Sequence, residues 1–296
     1  MLSWLRSFLY PVQRELDELK MLQASAHFRQ ANLDYTAADI HAHEYKVFSQ
    51  FGDDGIIQFL ISRIETVDKV FIEFGVEDFL ESNCRFLMMH DNWSGLIFDG
   101  SSRSIGRVRS RDDYWKYDLE ARCAFLSREN LNAELKQGLG ERKADLISID
   151  VDGNDYWLLD ALELRPSILI VEYNSVFGPD RAITVPYRAD FDRSEAHFSN
   201  LYFGASLLAL TDLAMDKGYS LLGSNTAGNN AYFLRNDVLQ DAGMQAVPAE
   251  SAYVCSRFRE SRDSNGTLSY ASGAQRLEII RGMPVYNTRT SEVEPL

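Results

Sequence analysis

The chain is short of cysteine, histidine and positive charge. Its 296 residues include three cysteines and five histidines, with 30 Lys and Arg against 44 Asp and Glu. Cys84, Cys123 and Cys255 are far apart, odd in number and without a CxxC pair, which argues against a disulfide framework or a thiolate metal site and suits reduced thiols. A formal net charge of −14 repels phosphate backbones, so no nucleic-acid partner is expected. Long apolar runs are also missing. The opening stretch, MLSWLRSFLYPVQ, is interrupted by Arg6 and Pro11 well short of the ~20 apolar residues that a bilayer crossing needs. No basic head precedes that stretch and no small-residue cleavage site follows it, so a secretory signal fits poorly and a cytoplasmic location is expected.

What remains is an ordinary globular composition, 45% apolar and 25% charged, enough for one catalytic-sized core with appendages. The reading divides the chain into an N-terminal helical extension (1–45), a catalytic domain (46–240) and a polar C-terminal extension (241–296). After Pro11, the spacing of Val12, Leu16, Leu19 and Leu22 predicts an amphipathic helix to about residue 28, its stripe packed on its own domain. The same segment, with Trp4, Leu5, Phe8 and Leu9, offers a second use: self-association through a coiled coil, or contact with the inner face of a membrane.

From Val70 the pattern changes to compact apolar runs separated by helical stretches, the signature of an α/β protein with a mostly parallel, Rossmann-like sheet. The strand candidates are 70–74, 95–98, 146–149, 168–171, 219–222 and 231–234. Helices are expected over 81–91, 128–136, 154–162 and 205–217. The last two strands are joined only by GSNTAGNN, so an antiparallel hairpin should close one edge of the sheet.

In such a sheet the ligand crevice lies beyond the carboxyl ends of the strands. The first strand runs into Glu73-Phe74-Gly75 and then Glu77, Asp78, Ser82 and Asn83. Gly75 permits close backbone approach, and Ser82 and Asn83 offer donors at the start of a helix. This is not GxGxxG, and acids beside a pyrophosphate would repel it. A ligand carrying a sulfonium and an ammonium, such as S-adenosylmethionine, suits the segment better. The second strand ends in Asp99-Gly100-Ser101, a carboxylate placed to hold a ribose diol. In LISIDVDGNDYW, Asp150 and Asp152 crowd one turn and would repel each other unless a proton, a cation or donors are shared. Glu172 and Asn174 follow the next strand, and with Asp150 and Asp152 they make a candidate oxygen-ligand set for Mg²⁺ or another divalent cation. His197 is a candidate base, alongside Asp150 and Asp152. Asn154, Tyr173 and Tyr202 are candidate acceptor contacts.

At SQFGDDG (49–55), FIEFGVEDFLESN (71–83), NWSGLIFDGS (92–101), LISIDVDGNDYWLLDAL (146–162), ILIVEYNSVFGP (168–179) and the segment 202–235, the chain resembles the FkbM-type S-adenosylmethionine-dependent methyltransferases, in a branch found with surface-glycan biosynthesis. The resemblance implies a class I methyltransferase fold, for which a terminal antiparallel hairpin is typical. It also implies a donor pocket of Gln50, Asp54, Glu73, Gly75, Ser82, Asn83, Asp99 and Asp150, with Gly100 and Ser101 beside Asp99, and O-methylation of a sugar or glycan hydroxyl. The alternatives are an NAD-dependent sugar-modifying enzyme on the same sheet, and a non-catalytic interaction protein of a glycan-synthesis complex. A long segment over 175–203 is expected to cover the site.

Overall fold

The computed structural model describes the backbone of residues 2–31 and 39–296 and the side chains of 11–29 and 39–296. The chain begins with α1 (Leu2–Ala31) and α2 (Asp53–Ile61). The sheet then builds through β1 (Val70–Phe74), α3 (Arg85–Asp91), β2 (Ser94–Asp99), α4 (Ser102–Arg109) and β3 (Leu119–Cys123). After α5 (Leu131–Leu139) come β4 (Leu146–Ile149), α6 (Asp155–Ala161), β5 (Ile168–Glu172), β6 (Ile183–Thr184) and α7 (Arg193–Ala196). The chain continues with α8 (Leu207–Asp216), β7 (Tyr219–Ser224) and β8 (Asn230–Arg235), and two late strands follow, β9 (Pro284–Asn287) and β10 (Glu292–Pro295).

Seven strands form one sheet in the order β3-β2-β1-β4-β5-β8-β7. Neighbours from β3 to β5 are parallel, while β8 runs antiparallel to both β5 and β7. This is the Rossmann-like class I methyltransferase arrangement, with the expected hairpin at its edge. Val70–Phe74 and Ile168–Glu172 are buried along their whole length, because helices cover both faces and leave no strand face for water. The chain order reverses direction between β1 and β4, which places the crevice at their carboxyl ends.

Several boundaries move for physical reasons. The helix expected from Glu81 starts at Arg85, because the N–H groups of Asn83 and Cys84 are spent on the Glu73 carboxylate while the Ser82 hydroxyl accepts from Arg85 N. The helix expected from Arg128 starts at Leu131, since Asn130 turns back to accept from Ser127 N. β3 is an additional strand.

The largest correction concerns α1. The helix forms, but its stripe is not buried against the domain: Val12, Leu16, Leu19 and Leu22 are 48 to 66% exposed, with Val12 and Leu16 on the rim of a groove beside the body. Asp17 and Ala24 are buried in their place, and Asp17 pairs with buried Arg85 at 3.1 Å. Trp4, Leu5, Phe8 and Leu9 lie outside the residues whose side chains are described. Among the described residues no helix is long and apolar enough to cross a membrane.

Residues 241–296, expected as a loose polar extension, pack onto the rest. β9 pairs with β6, carrying β10 with it in a second, three-stranded sheet, and the Tyr286 ring lies 5.1 Å from Trp157.

The way into β1 is held by one side chain. Buried Asp145 accepts from the N–H groups of Val67, Asp68 and Lys69 at 2.7 to 3.0 Å. Truncation leaves those donors without a partner, so Asp145→Ala should lower stability by about 2–4 kcal/mol in urea unfolding. A loss below about 0.5 kcal/mol would contradict the role given to this carboxylate.

Candidate active site

The site is shaped by carboxylates that bind backbone. Gly75 has φ +73°, and a Cβ there would fall 1.6 Å from the Asp150 carbonyl oxygen, so the β1 and β4 turns touch only because this residue is glycine. Beyond Gly75, where a glycine-rich loop would normally supply the bend, Glu77 and Phe79 themselves adopt φ +47° and +59°. That conformation is costly for residues with a side chain and is typical of functional turns. Glu77 N donates to Asp99 Oδ2 at 2.8 Å and Ser101 N to Asp99 Oδ1 at 2.7 Å. One carboxylate thus joins the turns after β1 and β2, with lone pairs remaining for a diol.

Two adjoining cavities, of about 410 and 650 Å³, occupy the carboxyl ends of the strands. The smaller has Asp99, Gly100 and Ser101 on one wall and Phe98, Ala124, Phe125 and Leu126 as an apolar wall. The larger is lined by Gln50, Glu73, Ser82, Asn83, Glu172, Asn229 and Asn230, with Arg193, Phe203, Phe258 and Glu260 across it. Gly75, Glu77, Asp150 and Asp152 border both. The first cavity suits a nucleoside, and the second, more acidic one suits a cationic group and an acceptor.

Asp155 sets the turn that carries the acids: buried, it accepts from Val151 N at 2.8 Å and Gly153 N at 3.0 Å. The turn bends through Asp152 at φ +53°, and oxygen atoms of Asp150, Asp152 and Glu172 come within 4.8 Å of one another. Burial, then the neighbouring charge of Asp152, raises Asp150 well above the usual carboxylate range. Glu172 is raised likewise, first by burial and then by Asp150. Glu172 Oε2 is buried without a hydrogen-bond partner. Burial also pushes Glu73 up to about 7, against donors from Ser82, Asn83 and Cys84 that lower it. Opposite the acids, Arg193 pairs with Asp152, reaches Glu260 at 3.4 Å, donates to Asn200 O and lies 4.1 Å from the Phe203 ring centre.

The expected site residues divide into two groups. Gln50, Glu73, Gly75, Ser82, Asn83, Asp99, Gly100, Ser101, Asp150, Asp152, Asn154 and Glu172 line the cavities. Asn154 keeps its Oδ1 without a partner while its amide donates to Arg188 O. The others lie elsewhere. Asp54 is buried, off the cavity lining, and accepts from Val47, Phe48 and Ser49 N–H groups, shaping the loop that leads to Gln50. The Asn174 amide donates to the Leu201 and Phe203 carbonyls and its Oδ1 caps Val176 N, so it is withdrawn from the ligand set. The Tyr173 hydroxyl donates to Val254 O at 2.8 Å and the Tyr202 hydroxyl to Pro284 O; both anchor the C-terminal segment. His197 is not among the lining residues, and its Nδ1 is 2.7 Å from Ser199 Oγ.

Sequence reasoning missed Phe125 and Leu126, which follow the unrecognised β3, and missed Arg193, Phe258 and Glu260. The GNN of the hairpin turn was a usable signal, because Asn230 ties the cavity rim to buried Asp53, which also takes Asn225 and Tyr232.

No known protein family matches the chain, and no curated protein does. Solved structures similar to it include the N-terminal domain of EvdMO1 in the presence of SAH and D-fucose, with 11% identity, 71% of this chain and 94% of that chain covered, and a TM-score of 0.39. The plantazolicin methyltransferase BamL in complex with an analogue and SAH shows 13% identity, 72% and 79% coverage, and a TM-score of 0.37. PKMT2 from Rickettsia typhi shows 15% identity over 61% of this chain, with a TM-score of 0.38, and the match spans only 45% of that protein.

The raised carboxylates carry a pH signature. Their folded values, about 6 for Asp54 and Asp155 and about 7 for Glu73, exceed the unfolded ones of about 4, and burial raises Asp150 and Glu172 in the same direction, so folding takes up protons. The contribution of these groups is therefore complete below about pH 4 and is lost as pH rises from there through about 7. In EDTA-treated protein, Glu172→Gln should flatten that decline and add on the order of 1–3 kcal/mol near pH 8. Thermal melting across this range is the check, and a melting temperature that rises from about pH 5 to about pH 8, or a less stable variant, would contradict it.

Proposed function

We propose that this protein is an S-adenosylmethionine-dependent O-methyltransferase of the FkbM type, acting on a hydroxyl of a sugar or glycan precursor. The observation that carries the reading is the turn after β1. It is closed by Glu77 and Asp99 rather than by glycines, and it opens onto Asp150, Asp152 and Glu172. Such a crevice repels the pyrophosphate of NAD and favours a ligand with a sulfonium and an ammonium. The ribose diol would rest on Asp99 and the adenine between Phe125 and Leu126. The methionine end would lie against Glu73, Asn83 and Gln50.

The acceptor hydroxyl would reach the sulfonium from the side of Glu172 and Phe203. The donor would supply a sulfonium methyl for direct displacement by that hydroxyl oxygen, with the S–CH₃ electron pair retained on sulfur and S-adenosylhomocysteine as the leaving product. Alignment supplies most of the rate. Burial and crowding raise both Asp150 and Glu172 and so strengthen the ionised carboxylate of the pair as a base, which takes the hydroxyl proton. A divalent cation is a second reading for the same place, supported by three carboxylates within 4.8 Å and the unpartnered Glu172 Oε2. Asp150, Asp152 and Glu172 would hold it, and it would acidify the hydroxyl.

The acceptor would extend over Phe51 and Phe258, whose rings stack at 5.5 Å, into a neighbouring slot lined by Glu44, Lys46 and Arg257, where Lys46 is paired with Glu81 and Arg257 is, among the described residues, the cation left to meet an anionic group. This favours a sugar ring bearing a carboxylate or phosphate.

The test is transfer of an isotopically labelled methyl from S-adenosylmethionine to a panel of neutral, acidic and nucleotide-linked sugars, with and without EDTA. Acceptor-dependent label that falls by on the order of a hundredfold in Asp150→Asn is expected. Donor binding without transfer to any acceptor would favour the non-catalytic alternative.

A further inference from the structure

The exposed stripe of α1 is arranged for a second helix. Positions 12, 16, 19, 23 and 26 follow a four-three spacing, the a and d positions of a heptad, and all five residues, Val12, Leu16, Leu19, Gln23 and Ala26, are exposed. Leu5 and Leu9 continue the same spacing in the sequence. The body of the protein holds the opposite side of the helix. Its buried contacts are Asp17, Met21 and Ala24, each five residues beyond a seam position and therefore ~140° around the axis; His27 also meets the Tyr45 ring at 5.5 Å, and Val12 and Leu16 border a groove lined by Leu80, Met89 and Tyr117. Ser25, beside them, meets His90 Nε2 at 2.6 Å. In coiled-coil terms the body sits mainly on the b, c and f positions and reaches the e side at Gln13 and His27, while the a/d residues stay exposed along the rim of a groove beside the body, so a second helix can lie along the seam.

We infer that α1 forms a parallel, in-register coiled coil with the α1 of a second copy of this chain. The flanking charges select the orientation. Glu15 stands at g and Lys20 at the following e, the pair that faces across a parallel two-stranded seam. Among the described residues of its own chain, Glu15 pairs with exposed Arg14, at 3.4 Å. An antiparallel pairing would set e against e′ and g against g′, and that attraction would be lost. A membrane surface is the poorer occupant, because the apolar seam is narrow, Glu15 flanks it, and a chain of net charge −14 is repelled by anionic headgroups. This inference does not depend on the proposed activity.

The full chain is examined by sedimentation equilibrium from low to high micromolar concentration, as wild type, as Leu16→Glu with Leu19→Glu, as Lys20→Glu, and as Glu15→Lys with Lys20→Glu. A concentration-dependent dimer is expected. The leucine pair should weaken it at least ~100-fold and Lys20→Glu by about tenfold, with the double charge swap returning it to within about threefold of wild type. Melting temperatures of the dilute variants should match, because the substituted side chains are exposed. A wild-type monomer at every concentration, or a dimer indifferent to the leucine pair, overturns the proposal. A monomer that floats with phosphatidylglycerol–phosphatidylethanolamine vesicles overturns it in favour of a membrane surface. Charge swaps without effect overturn the parallel register.

Discussion

Three carboxylates, Asp150, Asp152 and Glu172, converge where β4 and β5 end, and each costs free energy to hold so close to the others in a partly dry crevice. Much of the local structure compensates for that crowding. Asp155 fixes the turn by taking two of its N–H groups, so the repulsion cannot simply unwind it. Arg193 brings a guanidinium to Asp152 and Glu260, drawing α7 and the C-terminal segment over the cavity. The cluster costs the fold free energy, which is how strain is commonly placed at functional sites.

A second theme is the use of acids as backbone clamps. Asp54 gathers residues 47–49, Asp145 gathers 67–69, Glu73 gathers 83–84, and Asp99 joins 77 to 101. Each takes two or three N–H groups that would otherwise be orphaned at a loop or helix start. In a chain with 18 glycines but few in its first ligand turn, these carboxylates provide the bends that glycine-rich motifs usually provide. Glu77 and Phe79 keep left-handed backbones there because Asp99 and the surrounding core hold them.

The buried strands were legible because β1, β4 and β5 are continuous apolar runs, and the polar residues just after them name most of the cavity. β3 was hidden. Leu119-Glu120-Ala121-Arg122-Cys123 is an edge strand whose Glu120 and Arg122 pair at the surface, so no apolar run marks it, and with it went the wall formed by Phe125 and Leu126. Asn174, Tyr173 and Asp54 stand at site-like positions in the sequence, but their side chains serve backbone contacts that only the fold reveals. The α1 stripe misled for a related reason: periodicity tells which residues share a face, and the buried Asp17–Arg85 pair decided which face meets the domain.

The central claim is that the cavity between β1, β2 and β4 receives S-adenosylmethionine. Calorimetric titration of the wild type and of Asp99→Ala with S-adenosylmethionine, and separately with NAD, tests it most directly. The account predicts micromolar methyl-donor binding that Asp99→Ala removes, and no binding of NAD. Absence of methyl-donor binding with and without Mg²⁺, or tight binding of NAD, would contradict it.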